Sequence, residues 1–209
     1  MTSRAPGWTV VVPVKGGPDA KSRLATDLDD ADRRALADAL ALDTLDAVLA
    51  TPAVSCVVVV TGEDRLLPVA ADDGPRVVHV DDPGRGLGAA VQAGLEAAPD
   101  GPCAVLLGDL PALRPDDLDA ALADAAHHER AFVADADGTG TTLLTGRTPG
   151  SLRPRFGPGS AAAHRVAGHV PLDARPSLRR DVDTATDLDD AVALGVGRRT
   201  GAFLAARVS

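Results

Sequence analysis

Two lysines occur in the chain, Lys15 and Lys21, and both fall in the segment Val12-Pro-Val-Lys-Gly-Gly-Pro-Asp-Ala-Lys-Ser-Arg-Leu24, directly after the first apolar run. The other 19 of its 21 positive side chains are arginines. Lysine is a compact point charge suited to a single phosphate oxygen, whereas arginine is a wide planar fork. Lys15, Lys21 and Arg23 around Gly16-Gly17-Pro18 therefore have the parts of a polyphosphate cradle. A solvated basic turn is the plain alternative. The G-x-x-x-x-G-K-[ST] pattern of a P-loop is absent, so a nucleoside triphosphate would be gripped by another geometry.

Carboxylates form a second group. Asp109, in Leu106-Leu-Gly-Asp-Leu-Pro111, follows a run that reads as a buried strand, and packing gives no reason for an acid there. Asp181 and Asp183 end another strand-like run and would share one of its faces, because alternate side chains point the same way. Two carboxylates from distant strands plus substrate phosphates would complete the octahedral oxygen shell that Mg²⁺ prefers. Asp109 as a turn cap, and Asp183 as part of the cap of a helix starting near Thr184, are the structural alternatives.

A third group lies in Gly138-Thr-Gly-Thr-Thr142 and Phe156-Gly-Pro-Gly-Ser160. Glycines admit close backbone approach, Thr141 and Ser160 supply hydroxyls, and Ser160 at a helix start would offer free N–H groups to an anion. An ordinary serine cap after a turn is the alternative. Together the two stretches suggest a second anion site, for an acceptor. Gly84-Arg-Gly-Leu-Gly88 lacks the G-x-G-x-x-G spacing and reads as a loop passing close to a base or ribose. The histidines give little: His127-His128 reads as solvated surface, and His164 falls near the acceptor loop.

These groups need a frame. Strand-like runs at Trp8–Val14, Ser55–Val60, Val77–Val80, Cys103–Leu107, Ala131–Ala134, Thr141–Leu144 and Arg180–Val182 alternate with Ala/Leu-rich stretches of helical period, such as Leu36, Leu40, Thr44, Leu45, Val48 and Leu49. Asp29 or Asp30, Pro115 and Thr184 supply helix starts. Continuous apolar runs suit strands covered on both faces, so the pattern predicts a three-layer α/β fold with a mostly parallel sheet, as one domain over residues 1–209. Ligands in such sheets sit beyond the carboxyl ends of strands. The lysine segment, Thr61-Gly62 and Gly108-Asp109 all follow strands directly and should meet in one crevice.

Composition narrows the classes. A net charge of -9 and a pI near 4.9 disfavour nucleic acid or an anionic membrane as main partner, and with no Tyr, three Phe and one Trp the chain lacks platforms for stacking bases. Cys56 and Cys103 lie in apolar runs without metal-ligand spacing and read as buried reduced thiols. With no export signal and no apolar run of about 18 residues, the expectation is a cytoplasmic protein acting on small molecules.

Taken in order, Pro-Val-Lys…Ala-Lys-Ser-Arg-Leu, Gly-Asp-Leu-Pro-Ala-Leu, Gly-Thr-Gly-Thr-Thr, Phe-Gly-Pro-Gly-Ser…His and Arg-Asp-Val-Asp-Thr…Asp-Leu resemble the phospholactate or phosphoenolpyruvate guanylyltransferases of coenzyme F-420 biosynthesis. The resemblance covers about Trp8 to Thr200. It implies a nucleotidyltransferase fold, Rossmann-like and similar to the nucleotide-binding half of glycosyltransferases (the glycosyltransferase-A type), with GTP as donor and Mg²⁺ as cofactor. It places Thr141, Gly157 and Ser160 on the three-carbon acid, Asp109 and Asp181, with Asp183 beside them, on metal, and Lys15, Lys21 and Arg23 on the triphosphate. Thr61 and Gly86 are the further nucleotide contacts. The chain departs from the family at Gly86-Leu87-Gly88, where Gly-Leu-Asn is usual. Phosphoenolpyruvate, 2-phospholactate and 3-phosphoglycerate remain open as acceptors; the Arg-rich, Lys-poor composition suggests an actinobacterial source, where the resemblance points to phosphoenolpyruvate. Transfer to a pterin cofactor, as in molybdenum-cofactor guanylyltransferases, or to a sugar phosphate, and a catalytically silent nucleotide-binding regulator are the alternatives.

Overall fold

A computed structural model describes residues 7–14, 28–68 and 73–207. Seven strands and seven α-helices occur among them, in the order β1 Trp8–Pro13, α1 Asp30–Leu49, β2 Val54–Val60, β3 Arg76–Val80, α2 Leu87–Ala97, β4 Cys103–Leu106, α3 Pro115–Ala125, β5 Arg130–Ala134, β6 Thr141–Gly146, α4 Ser160–Val166, β7 Val170–Pro171, α5 Pro176–Arg179, α6 Ala185–Leu194 and α7 Arg198–Ala205. They form one sheet in the order β3-β2-β1-β4-β6-β5-β7. The β1/β2, β2/β3, β1/β4 and β5/β7 pairs are parallel, and β6 is antiparallel to both its neighbours.

That one reversed strand matters for function. Because β6 runs against the rest, its first residue, Thr141, lies at the sheet edge where β4 and β5 end. A group at the start of β6 and groups just after β4 and β5 are thereby neighbours, although 32 residues separate Asp109 from Thr141.

Valine-rich strands sort their side chains between two cores. Val10, Val12, Val57, Val59, Ala104 and Leu106 join the layer of α1 and α3. Val11, Val58, Val60, Cys103 and Val105 join that of α2. Both faces are covered, which is why these strands read as unbroken apolar runs. A third cluster, Leu36, Leu40, Ala112, Val182 and Ala191, seats the C-terminal helices on α1. Cys56 and Cys103 are buried free thiols, and burial pushes Cys103 up to about 12, so it stays protonated. Among the described residues no helix is long and apolar enough to cross a membrane.

Local signals set several boundaries. Asp29 caps α1 by accepting the Asp32 N–H at 2.8 Å, Pro115 opens α3, and Thr184 caps α6 in a reciprocal box with Asp187. One expected strand is absent. Among the described residues Arg180–Val182 makes no ladder, and the Val182 N–H bonds the Asp109 carbonyl at 3.1 Å. The seventh strand is instead the short Val170–Pro171, beside β5.

Candidate active site

Asp109 sits two residues beyond Leu107, at the mouth of the sheet, and its backbone is pinned on both sides. Its carbonyl accepts the Val182 N–H, and the next N–H, from Leu110, donates to Thr44 Oγ1 of α1 at 3.0 Å. Thr44, read from its spacing as part of an apolar stripe, is buried, and its hydroxyl donates to the Leu40 carbonyl of its own helix while accepting from this loop. Gly108 is required by a close approach: a Cβ there would stand 3.0 Å from the Pro13 carbonyl of β1. Chain leaving β1 through Val14 therefore starts beside Gly108. Lys15, Lys21 and Arg23, the expected phosphate-binding cations, lie outside the described residues.

The bond from Val182 to Asp109 also brings Asp181 to this mouth. Burial, then the charges of Asp109 and Asp183, push the Asp181 carboxyl up to about 7, with Asp135 adding to the effect. Mutual repulsion among partly buried carboxylates is relieved by a cation with hard oxygen preference, so the donor set fits a divalent ion of the Mg²⁺ or Mn²⁺ kind. Among the described residues no group of three or more potential ligands is assembled. Two carboxylates completed by substrate oxygens is the arrangement the site allows. The shared strand face expected for Asp181 and Asp183 does not exist, because their segment forms no strand. Asp183 is exposed, and Thr184, not Asp183, caps the following helix.

Asp135, which the sequence reading missed, directly follows β5 and organises the glycine-threonine loop. Its two carboxylate oxygens accept the N–H groups of Thr139 and Gly140 at 2.9 and 2.7 Å. Any side chain at Gly140 would run into that carboxylate. Arg179 of α5 holds the same corner from below, donating to the carbonyls of Ala134, Asp135 and Ala136. Asp-x-x-Gly-x-Gly between strands was a legible turn signal; nothing in the sequence tied Arg179 to it.

Thr141 and Ser160 meet as expected. The Ser160 hydroxyl donates to Thr141 Oγ1 at 3.2 Å, and Thr141 Oγ1 lies 2.9 Å from His164 Nδ1. All three are buried. His164 Nε2 accepts the Arg155 N–H at 2.8 Å, and His169 Nε2 accepts the Arg153 N–H at 3.3 Å, so two histidines clamp the extended strap ahead of Gly157. Burial, then the charges of His169 and Arg155, lower His164 to about 4. It is neutral at physiological pH. The helix-start expectation is corrected here: Gly159 is the cap of α4, the Ser160 N–H bonds the Gly157 carbonyl, and the Ala161 N–H bonds the Thr139 carbonyl, both at 3.1 Å. Those amides are taken, and the hydroxyls carry what the site offers an anion. Gly157 is exposed in the turn before α4.

Beyond β2 and β3 the remaining expected contacts stand on the same edge. Thr61 is buried, its N–H bonds the Val80 carbonyl at 3.0 Å, and its hydroxyl accepts the Glu63 N–H at 3.2 Å. Gly86 caps α2, and an exposed Gly88 follows in its first turn. His127 and His128 lie at the far end of α3, outside this site.

Residues 39–191 match the family model of the MobA-like NTP transferase domain. A phosphoenolpyruvate guanylyltransferase of Streptomyces coelicolor is 51% identical over 95% of this chain and 96% of its own length. The chain belongs to the phosphoenolpyruvate guanylyltransferase family. Among solved structures, this family member is similar in fold to a nucleotidyl transferase from Methanothermobacter thermautotroptrophicus, with TM-score 0.59, 21% identity, and coverage of 90% of this chain and 97% of that one. It is also similar to a Mycobacterium tuberculosis protein in complex with manganese, with TM-score 0.53, 20% identity, and coverage of 91% and 100%. These likenesses show the nucleotidyltransferase fold expected from the motifs.

Proposed function

We propose that the protein transfers GMP from GTP to the phosphate of phosphoenolpyruvate and releases pyrophosphate, as its relatives' name describes. The observation that carries this reading is the meeting, at one sheet edge, of the Asp109 and Asp181 carboxylates with the Thr141–Ser160 hydroxyl pair. A nucleotidyl transfer between two anions needs those two kinds of subsite side by side.

In this reading the phosphate oxygen of the acceptor attacks the α-phosphorus of GTP in line with the departing pyrophosphate. The nucleophile is already an anion near neutral pH, so no general base is required. What the reaction requires is alignment of two polyanions against their repulsion. Thr141, Ser160 and the Gly157 turn hold the three-carbon acid in this reading; Lys15, Lys21 and Arg23, which follow β1 in the sequence, are assigned to the triphosphate; Thr61 and Gly86 border the nucleoside. Asp109 and Asp181 would hold a divalent ion, Mg²⁺ in this reading, with Asp183 adding negative charge beside them. Such an ion supplies charge neutralisation at the reacting phosphates. The manganese bound by the fold relative supports a divalent ion of this class. In this reading the reaction takes place in the cytoplasm, as a step of coenzyme F-420 biosynthesis.

The test is pyrophosphate release by purified protein with GTP, MgCl₂ and each of phosphoenolpyruvate, 2-phospholactate and 3-phosphoglycerate. Phosphoenolpyruvate is expected to give at least about tenfold higher kcat/KM than either other acid. Turnover on a pterin cofactor instead, or none with any acid, would sink the reading.

A further inference from the structure

Two hydroxyls, Thr141 and Ser160, bring two protons to the acceptor pocket, and one is used in the bond between them at 3.2 Å. Where the other goes depends on the ring 2.9 Å away. A backbone N–H only donates, so the Arg155 N–H on His164 Nε2 requires that nitrogen to be unprotonated. The neutral ring then carries its proton on Nδ1 and donates to Thr141 Oγ1. With that tautomer the hydroxyl pair keeps one proton to give away. With the opposite tautomer Nδ1 would take a proton from Thr141, Ser160 would give its own to Thr141, and the pair would have nothing to offer an anion.

We propose that His164 is a positioning residue for the acceptor: held by the Arg155 backbone, it donates to Thr141 and so commits the Thr141–Ser160 pair to donate one hydrogen bond to an anionic oxygen of the acid. The ring is set for this. It is fully buried, its centroid lies 6.1 Å from Phe132, 5.2 Å from Phe156 and 5.6 Å from His169, and the last two contacts are edge-on, which fixes its plane. The inference rests on the acceptor role proposed above for Thr141.

Its test has a spectroscopic and a kinetic arm. Nitrogen-15 NMR of the wild-type protein at pH 7 is expected to show His164 protonated at Nδ1 and bare at Nε2; the reverse tautomer overturns the proposal. In kinetics, Thr141→Val and His164→Phe are each expected to raise KM for phosphoenolpyruvate about tenfold and to leave KM for GTP within twofold. The double variant should be no worse than Thr141→Val alone, because the histidine acts through that hydroxyl. His164→Asn, whose amide can donate from the place of Nδ1, should recover most of the loss; His164→Gln, which reaches the place of Nε2, should not. This pair decides the matter if the Phe variant does not fold. Additive losses, equal losses for both substrates, or His164→Phe within twofold of wild type for phosphoenolpyruvate would overturn the positioning role. If Thr141→Val itself leaves that KM unchanged, the acceptor site is elsewhere and the inference falls with it.

Discussion

At the scale of single residues the described part of the proposed site is a set of carboxylate and hydroxyl oxygens, which suits a reaction whose nucleophile arrives already charged. Asp109 is the residue on which the metal assignment turns, since its backbone is fastened by Val182 and Leu110 whatever its side chain does. Asp109→Asn should therefore keep the fold, shown by an unchanged far-ultraviolet circular dichroism spectrum, and lower kcat about a hundredfold or more at saturating Mg²⁺. Wild-type turnover in that variant would remove Asp109 from the metal site. Lys21→Ala should cost at least about ten times more in kcat/KM than Arg147→Ala, which removes an exposed cation paired with Glu129 on the surface. Equal losses would reduce the lysine segment to a solvated turn.

At the scale of elements, α1 does more than fill the layer under the sheet. Its neighbouring residues Asp43 and Thr44 hold two distant pieces of chain in place. Thr44 accepts Leu110 N–H beside the metal-capable loop, and Asp43, buried, accepts the Arg199 and Thr200 N–H groups at 3.0 and 2.8 Å. Asp43 thus caps α7 from another helix, in the space left by Gly197, where a side chain would collide with it. A carboxylate at a helix N-terminus also answers the macrodipole. Asp43→Ala leaves the buried Thr200 N–H and the half-buried Arg199 N–H without their acceptor and should lower unfolding free energy by about 2–3 kcal/mol in urea titration. A loss under about 0.5 kcal/mol would mean α7 is held by its apolar face alone. Neither role was legible in the sequence, where Thr44 reads as part of the apolar stripe, because both partners lie at least 66 residues away.

At the scale of the whole molecule, burying two histidines to clamp one strap makes stability depend on acid. The unfolded chain takes up a proton on each imidazole near the ordinary 6.5, while folded His164 resists down to about 4 and His169 is lowered too, by burial first. Stability from this source is full above 6.5 and is lost as pH falls towards 4. Between pH 6.5 and 5, His164→Phe should lose less unfolding free energy than wild type, the difference being on the order of 1–2 kcal/mol by urea titration at each pH. Parallel losses would show that the ring is not held neutral. The sequence by itself determined the three-layer α/β frame, a first helix capped at Asp29 or Asp30, and the helix starts at Pro115 and Thr184, since periodicity and capping chemistry are local. It also marked Asp109 and Asp181, acids that packing could not account for. Only the tertiary structure decided that Arg180–Val182 would cross beside Asp109 as a single bond rather than a strand, that Arg179 would brace the glycine-threonine loop, that Thr141 would meet Ser160, and that His164 would stand behind Thr141. Those outcomes depend on which strand is reversed and what lies across the sheet, and no window of local sequence contains both partners.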